Sequence, residues 1–415
     1  MVLRNAAFRL LWFGGAVSGF GSWLLVVAVP VHVYQLTGSP AATGLALALE
    51  ALPALLIGPF AGTLVDRWPL TRAMWAADLV GAAAVSLMLL ADRPGEVWLV
   101  YVAVLVENVA STVFRPAARA LTPAMVGTGP GLAQANALTA GAGSVLRLVA
   151  PPAGAALLAG PGFAAVLVVD VASYLVSAAL IAAVARRHAP GRPPRGEADG
   201  SQGGTSQALR ARGKVLSELR AGLAHLAGRP ELRGPLTANA VFLTANAGLT
   251  ALLVPFTAVS LDAPAHTVGY LISGLGVGFL VGSTLARVAL DRLGVRRLLA
   301  VTQPATAGAF LLLVNAPGPG LAVLAAAGVG VPGSVLLIAV ETHVQRVVPP
   351  PLLGRVGALF LAVDALAVVA GGLAAPALVA ALGLTAALNA LSALAFLAVP
   401  VTLSGWAAVR DHGAS

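Results

Sequence analysis

The 415-residue sequence contains no cysteine, which removes disulfides, iron–sulfur clusters and thiolate zinc sites in one step. It is also poor in charge: lysine occurs once, as Lys214, and charged residues make up 10% of the chain against 58% hydrophobic. That leaves too little polar surface to cover a water-soluble globule. No G-x-x-x-x-G-K-[ST] stretch exists, so an ATP-binding loop of that kind is excluded and any transport must draw on an ion gradient or a separate ATPase. The histidines, at 32, 188, 225, 266, 343 and 412, are scattered. They suggest no metal site and no Ser-His-Asp arrangement, and neither a cofactor nor an enzymatic activity is expected. No cleavable leader is expected either, because the first apolar run, 8–34, is too long for one and lacks a small-residue cleavage site.

What the chain has instead is apolar runs. A helix needs about 20 residues to cross a hydrocarbon core roughly 30 Å thick, and twelve such runs can be drawn: 8–35, 42–64, 73–90, 97–118, 133–159 and 163–185, then 234–260, 267–287, 297–315, 319–345, 354–381 and 384–409. The fold class expected is an all-α integral membrane protein of twelve transmembrane helices in two pseudo-symmetric six-helix bundles, residues 1–185 and 234–415. Gly 47 and Pro 28 fit this class, since membrane helices tolerate both.

Twelve crossings place alternate turns on opposite sides, and basic residues report which side is cytoplasmic. Of the 25 Lys and Arg, 23 fall on the chain ends and the even-numbered turns, and Arg93 alone on the opposite side; Arg147 lies inside the fifth run. Both termini are therefore expected in the cytoplasm. The net charge of +9 then reads as a topology signal facing anionic lipid and not as a nucleic-acid footprint.

Residues 186–233 divide the halves. The stretch 186–207 is rich in Pro, Gly, Ser and charge, the composition of a flexible linker. Beyond it Leu209, Leu216, Leu219, Leu223 and Leu226 recur at helical spacing among Arg210, Arg212, Lys214 and Arg220. That pattern is an amphipathic helix for the inner membrane surface, with a calmodulin-target-like or nucleic-acid arm as the formal alternatives.

The second turn of each half repeats an acid-then-base pattern: Gly62, Asp66, Arg67 and Arg72 in the first, Asp291, Arg292, Gly294, Arg296 and Arg297 in the second. A helix-end Asp can cap a neighbouring helix and pair with Arg while Gly permits close approach. Such a contact can act as a cytoplasmic gate between two lobes. The other reading is that these residues only anchor the helix ends.

These two turns, GTLVDRWPLTR and DRLGVRR, resemble the signature of the major facilitator superfamily of secondary transporters and its degenerate second copy; Pro69, Leu70 and Arg287 stand where that signature commonly has other residues. The stretches FRPAARALTP (114–123), QANAL (134–138), ETHVQRVVP (341–349) and Gly354-Arg355-Val356 are similar to the bacterial branch that contains enterobactin exporters and macrolide efflux proteins. The run around Pro151, Pro152 and Gly154 keeps part of the helix-five signature of exporting members. Its two prolines set a bend from physics alone.

Ionisable residues inside the apolar runs each cost a few kcal/mol unless paired or hydrated. They are Glu50, Asp78, Glu107, Arg147, Asp170, Glu341 and Asp364. The resemblance implies that helices one, four, seven and ten line a central cavity, making Asp78 and Asp170 scaffold hydrogen-bonders and Glu50, Glu107, Arg147, Glu341 and Asp364 the candidates for proton and substrate translocation. Asn108, Asn239, Asn246 and Gln303 could add polar contacts. Glu107 and Arg147 lie at similar depth in consecutive runs. They form either a switchable pair that couples protons to substrate or a permanent pair locking two helices together.

The reading that follows is a proton-coupled exporter of amphiphilic small molecules, a drug- or macrolide-type efflux antiporter conferring drug resistance. It is monomeric, works by alternating access in a bacterial inner membrane, and has protons, substrate and lipid as its only partners. Secretion of a siderophore or other endogenous metabolite is the alternative within transport; a non-transporting sensor or assembly partner is the alternative outside it. The cysteine-free background tests the orientation directly. A single cysteine at Ser39 is expected to react with an impermeant thiol reagent added to intact cells and one at Ser201 is not; labelling at Ser201 would invert the topology.

Overall fold

The computed structural model describes residues 2–58, 68–127, 129–187 and 229–411. The described chain is helical throughout and contains no strand. Helices α1 to α6 cover Ala6–Thr37, Pro40–Leu56, Leu70–Leu87, Val97–Val126, Pro130–Ala159 and Phe163–Arg187. In the second half α7 is Pro230–Ala251, continued by Leu253–Ser260 after a 51° bend. The segment Thr267–Val314 is two helices, α8 (267–293) and α9 (295–314), that meet at Gly294. Helices α10, α11 and α12 are Pro319–Val347, Pro350–Leu382 and Leu384–Asp411.

Eight helical segments among the described residues are long and apolar enough to span a membrane alone, and Thr267–Val314, at 48 residues, is long enough for two crossings. The bent α7 and the shorter Pro40–Leu56 and Leu384–Leu397 complete the twelve. Helix α6 runs on to Arg187 and α7 begins at Pro230, so both helices extend slightly into the segment assigned to the linker. The remainder of that segment, with its amphipathic helix, lies outside the described residues. The outer surface carries large apolar side chains such as Leu324 and Leu397, about seven-tenths exposed, which belongs in contact with lipid and not water.

Turn chemistry sets the alternation. Asn5 caps α1 by accepting from the N–H groups of Ala7 and Phe8. At its other end Gly38 takes φ +62°, Ser39 caps α2 and Pro40 opens it, so the chain reverses within two residues. Cross-helix contacts then sort the ends into two faces. At the near face, where α1 starts, the Asn5 amide donates to Met125 O (2.7 Å) and His343 pairs with Glu231 O (3.1 Å). At the far face His32 pairs with Ala91 O (2.9 Å) and stacks on Phe163, the Tyr101 hydroxyl donates to Ala42 O (3.2 Å), and Asn315 donates to Asn389 (2.8 Å).

Within the first half α1 packs on α5 and α6, and α3 on α4 and α6; within the second α7 packs on α11 and α12, and the α8–α9 segment on α10. A Gly274, Gly278, Gly282 stripe lays α8 directly on the backbone of α10 at Val323, Ala327 and Val331. This is close packing of small residues, the main attraction available between helices in lipid.

The halves meet along two seams, α2 with α11 and α5 with α8. At the first, Gly44 sits against Gly372 O and Pro376, and a Cβ there would lie 2.6 Å from Pro376 Cγ. At the second, Gly269 sits against Ala155 and Pro151 O. Val27, Val31, Ala155, Val254 and Val268 form one apolar cluster drawn from both halves. All these contacts lie within the last few turns before the far face, so that end is closed.

A larger residue at Gly44 should wedge this closure. With spin labels on the exposed positions Ala41 and Ala381, Gly44→Leu is expected to lengthen and broaden the short inter-label distance of the otherwise unchanged chain. An unaltered distance distribution would show that the α2–α11 contact does not hold the far face shut.

A membrane-embedded carboxyl cluster and a separate arginine

Four helices of the first half aim acidic side chains at one level. Glu50 is the eleventh residue of α2, Asp78 the ninth of α3, Glu107 the eleventh of α4 and Asp170 the eighth of α6. The centre of the group is Tyr174, whose hydroxyl donates to Glu107 Oε1 (2.8 Å) and lies 3.1 Å from the Ser22 hydroxyl of α1. Its ring lies against Gly81 of α3, where a Cβ would come within 3.1 Å. Asp170 and Ser173, on the same helix, are buried; the Ser173 hydroxyl donates to the Asp170 carbonyl (2.7 Å) and lies 3.2 Å from Asp170 Oδ1, and the missing Cβ of Gly21 lets both reach α1. Asp78 Oδ2 and Asp170 Oδ2 have no protein partner.

A cavity of about 440 Å³ opens beside this cluster, with Glu50, Asp78, Glu107 and Tyr174 on its wall and Trp23, Phe114 and Arg115 around it. Arg115, two turns along α4 from Glu107, lines the same cavity as Glu50 and Glu107. The arrangement combines a hydrogen-bonded carboxyl, a hydroxyl chain Glu107–Tyr174–Ser22 and access from a polar cavity, all that a group needs to take up and release a proton in a low-dielectric layer.

Arg147 is not part of it. The one ion pair within 4.0 Å among the described residues is Arg229–Glu231 (3.0 Å) at the start of α7, so a permanent Glu107–Arg147 pair is not present. The physical reason is rotation about the helix axis. The Arg147 guanidinium lies 5.2 Å from the ring centroid of Trp23 in α1, while Glu107 turns into the bundle toward Tyr174 of α6. Similar depth did not imply the same side.

The other expected site residues are dispersed. Asp364 of α11 accepts from the Asn239 amide of α7, a contact inside the second half. Glu341 is exposed near the near-face end of α10 and accepts from Gln345 one turn on (3.3 Å). Pro151, Pro152 and Gly154 lie in α5, which runs through both prolines without interruption. Gly154 packs on the Leu24 backbone, and the Arg147 carbonyl, which Pro151 has no N–H to bond, faces Gly276 of α8.

Of the acid-then-base turns, Gly62, Asp66 and Arg67 lie outside the described residues, and Arg72 sits in the first turn of α3. In the second copy Asp291, Arg292 and Arg297 are exposed and Arg296 half-buried. Gly294 does not serve close helix approach there: nothing lies within 4 Å of its Cβ position, and its φ of +69° shows that it breaks the chain direction between α8 and α9.

Tyr174, Ser22 and Trp23 went unnoticed in the sequence because α6 reads as outer scaffold and single hydroxyls or rings are common in apolar runs. A signal did exist: Asp170 and Tyr174 stand four apart, hence on one helix face.

Twelve such helices, with two glycine-lined seams and a polar interior in one half, define a membrane protein of the major facilitator class. The sequence profile of the transmembrane secretion effector family, a family of transporters and not of enzymes, matches residues 2–411, and the chain belongs to that family. It is similar to macrolide efflux protein A of Streptococcus pyogenes, 29% identical over 179 residues, which is 43% of this chain and 44% of that protein; the match thus spans under half the length of that relative. It is 24% identical over 353 residues to the uncharacterized MFS-type transporter YfiS of Bacillus subtilis, covering 82% and 79% of the two chains. Among solved structures, a mutant of the peptide transporter POT shares the fold with a TM-score of 0.77 at 12% identity over 96% of this chain and 93% of that one.

Tyr174→Phe removes the donor to Glu107 and keeps the ring on Gly81. It is expected to lower unfolding stability in detergent by about 1–2 kcal/mol, the range for a hydrogen bond to an acidic group. Ser22→Ala should cost less, since the one proton of that hydroxyl is divided between Tyr174 and Ser18 O of its own helix (3.2 Å). An unshifted unfolding midpoint in Tyr174→Phe would mean the Glu107 contact is not a structural bond.

Proposed function

We propose that the protein is a proton-coupled exporter of amphiphilic small molecules that works by alternating access. The observation that carries this reading is Glu107, held at mid-membrane by Tyr174 and open to a cavity it shares with Glu50 and Asp78. A carboxyl placed so can exchange its proton with water on one side, lose access when the cavity closes, and regain it from the other side. Substrate occupying the same cavity competes for that space, and this links the two fluxes.

The conformation supports the same cycle. The halves are packed at the far face through Gly44 and Gly269, while the cavity reaches Phe114 and Arg115 on the near-face side of Glu107. The chain ends and even-numbered turns, which the alternation assigns to the near face, carry 23 of the 25 basic residues in the sequence; that face is read as cytoplasmic, in a bacterial inner membrane. The state described is then the one that loads from the cytoplasm. Opening would require the two glycine seams to part and the near-face turns, with Asp66 and Asp291 as gate residues, to close. Helix α5, with Pro151 at a seam, Pro152 beside it and Gly154 against α1, is the element expected to bend. The protein acts as a monomer, with protons, substrate and lipid as its partners.

Export is preferred to uptake because the family description names secretion and the streptococcal relative is named for efflux. The test is substrate-dependent proton flux in liposomes containing the purified protein, with the macrolide class named for that relative and a panel of other amphiphiles as starting substrates. Glu107→Gln keeps the size and the Tyr174 contact but cannot titrate. It is expected to abolish proton-driven accumulation, by at least about tenfold, while leaving substrate counterflow measurable. Retained proton-driven transport with unchanged pH dependence would remove Glu107 from the coupling role.

A further inference from the structure

Arg147 stands seventeen residues beyond the first residue of α5 and twelve before the last, about 26 Å and about 18 Å from the two helix ends at a rise of 1.5 Å per residue. A guanidinium at that depth costs several kcal/mol unless its donors are engaged or solvated. Among the described residues no carboxylate pairs with it, and its partner is the Trp23 ring, which covers one face of the plane and leaves the edge donors free. Arg147 is an exposed residue and lines a second cavity, of about 250 Å³, together with Ser144 of α5 on one side and Phe279 and Ser283 of α8 and Ser334 and Leu337 of α10 on the other. The three hydroxyls are taken up by carbonyls of their own helices, at 3.1 Å for Ser144, 2.7 Å for Ser283 and 3.2 Å for Ser334. No acidic side chain lines this cavity, in contrast to the larger one on the other side of Trp23.

A cation with free edge donors, no neighbouring acid and walls of Phe279 and Leu337 suits a single anionic group attached to an apolar body. We infer that the Arg147 cavity seats the carboxylate, or a group of the same charge and shape, of the transported amphiphile. The planar fork of Arg matches a carboxylate bidentately. The cavity is smaller than a usual ligand pocket, so it takes the acidic end and adjoining carbons, and the remainder of a larger molecule passes Trp23 into the first-half cavity. Because the walls come from both halves, movement of one half against the other takes the seat apart. Affinity for the anion then differs between the two states, which is what a transported ligand requires.

Calling the ligand a substrate rests on the transport reading above. Equilibrium binding needs neither gradient nor turnover, so its failure is distinct from a failure of proton coupling. Dansyl-undecanoic acid and its methyl ester serve as probes, titrated into the purified protein in a neutral detergent and followed by dansyl fluorescence. The acid is expected to bind about tenfold or more tightly than the ester, the factor that one charge-assisted contact supplies. Arg147→Gln should erase the preference and Arg147→Lys should keep part of it.

Equal affinity for acid and ester in the wild-type protein would overturn the inference without recourse to any variant. So would an acid preference that survives in Arg147→Gln. Phosphatidylglycerol added to the micelles at a few mole per cent distinguishes the other source of such a group. The acid should stay bound; displacement by the lipid in the wild-type protein but not in Arg147→Gln would assign the seat to a lipid headgroup and overturn it as a substrate site.

Discussion

A carboxyl group in the middle of a hydrocarbon layer must find donors or reach water, because the layer supplies neither. In the first half that demand is met by one chain between helices and by the cavity. Glu107 is met by Tyr174 and Tyr174 by Ser22, which ties α4, α6 and α1 together at one depth. Glu50 and Asp78 line the cavity, and Asp170 lies 3.2 Å from the Ser173 hydroxyl of its own helix. Gly21 and Gly81 are the complementary part of the device, since side chains there would hold the polar groups apart.

The second half is built differently. Its interior polar contacts are few and local, Asn239 with Asp364 and Gln303 with Thr402 (3.1 Å), and its cohesion comes from glycine faces that set α8 on α10. The two halves share a helical plan but not a chemistry. The titratable equipment is concentrated in one, and the apolar wall opposite Arg147 comes from the other.

The seams combine two kinds of contact. At Gly44 with Gly372 O and Pro376, and at Gly269 with Ala155 and Pro151 O, a missing side chain lets helices of the two halves touch directly. Val27, Val31, Val254 and Val268 pack with Ala155 beside the second contact, so the closure at the far face also buries apolar side chains from both halves. Inside each half the cores hold bulkier groups, Phe242, Phe256 and Phe310 in one and Met74, Leu121 and Ile181 in the other.

By itself the sequence determined the number of crossings, their approximate ends, and the side on which charge accumulates. These depend on local quantities, namely run length, caps such as Asn5 and Ser39, and the positions of arginine. It also placed Glu50, Asp78, Glu107, Arg147 and Asp170 inside the membrane, since depth is a count along one helix. It could not say which of them meet. The side chains that a residue meets depend on how its helix is rotated and placed against its neighbours, and that is set by packing between helices and not by a count along one of them. Only the tertiary packing turned Glu107 toward Tyr174 and away from Arg147, brought Asp364 to Asn239, and gave Gly294 the task of a chain reversal in place of a helix contact.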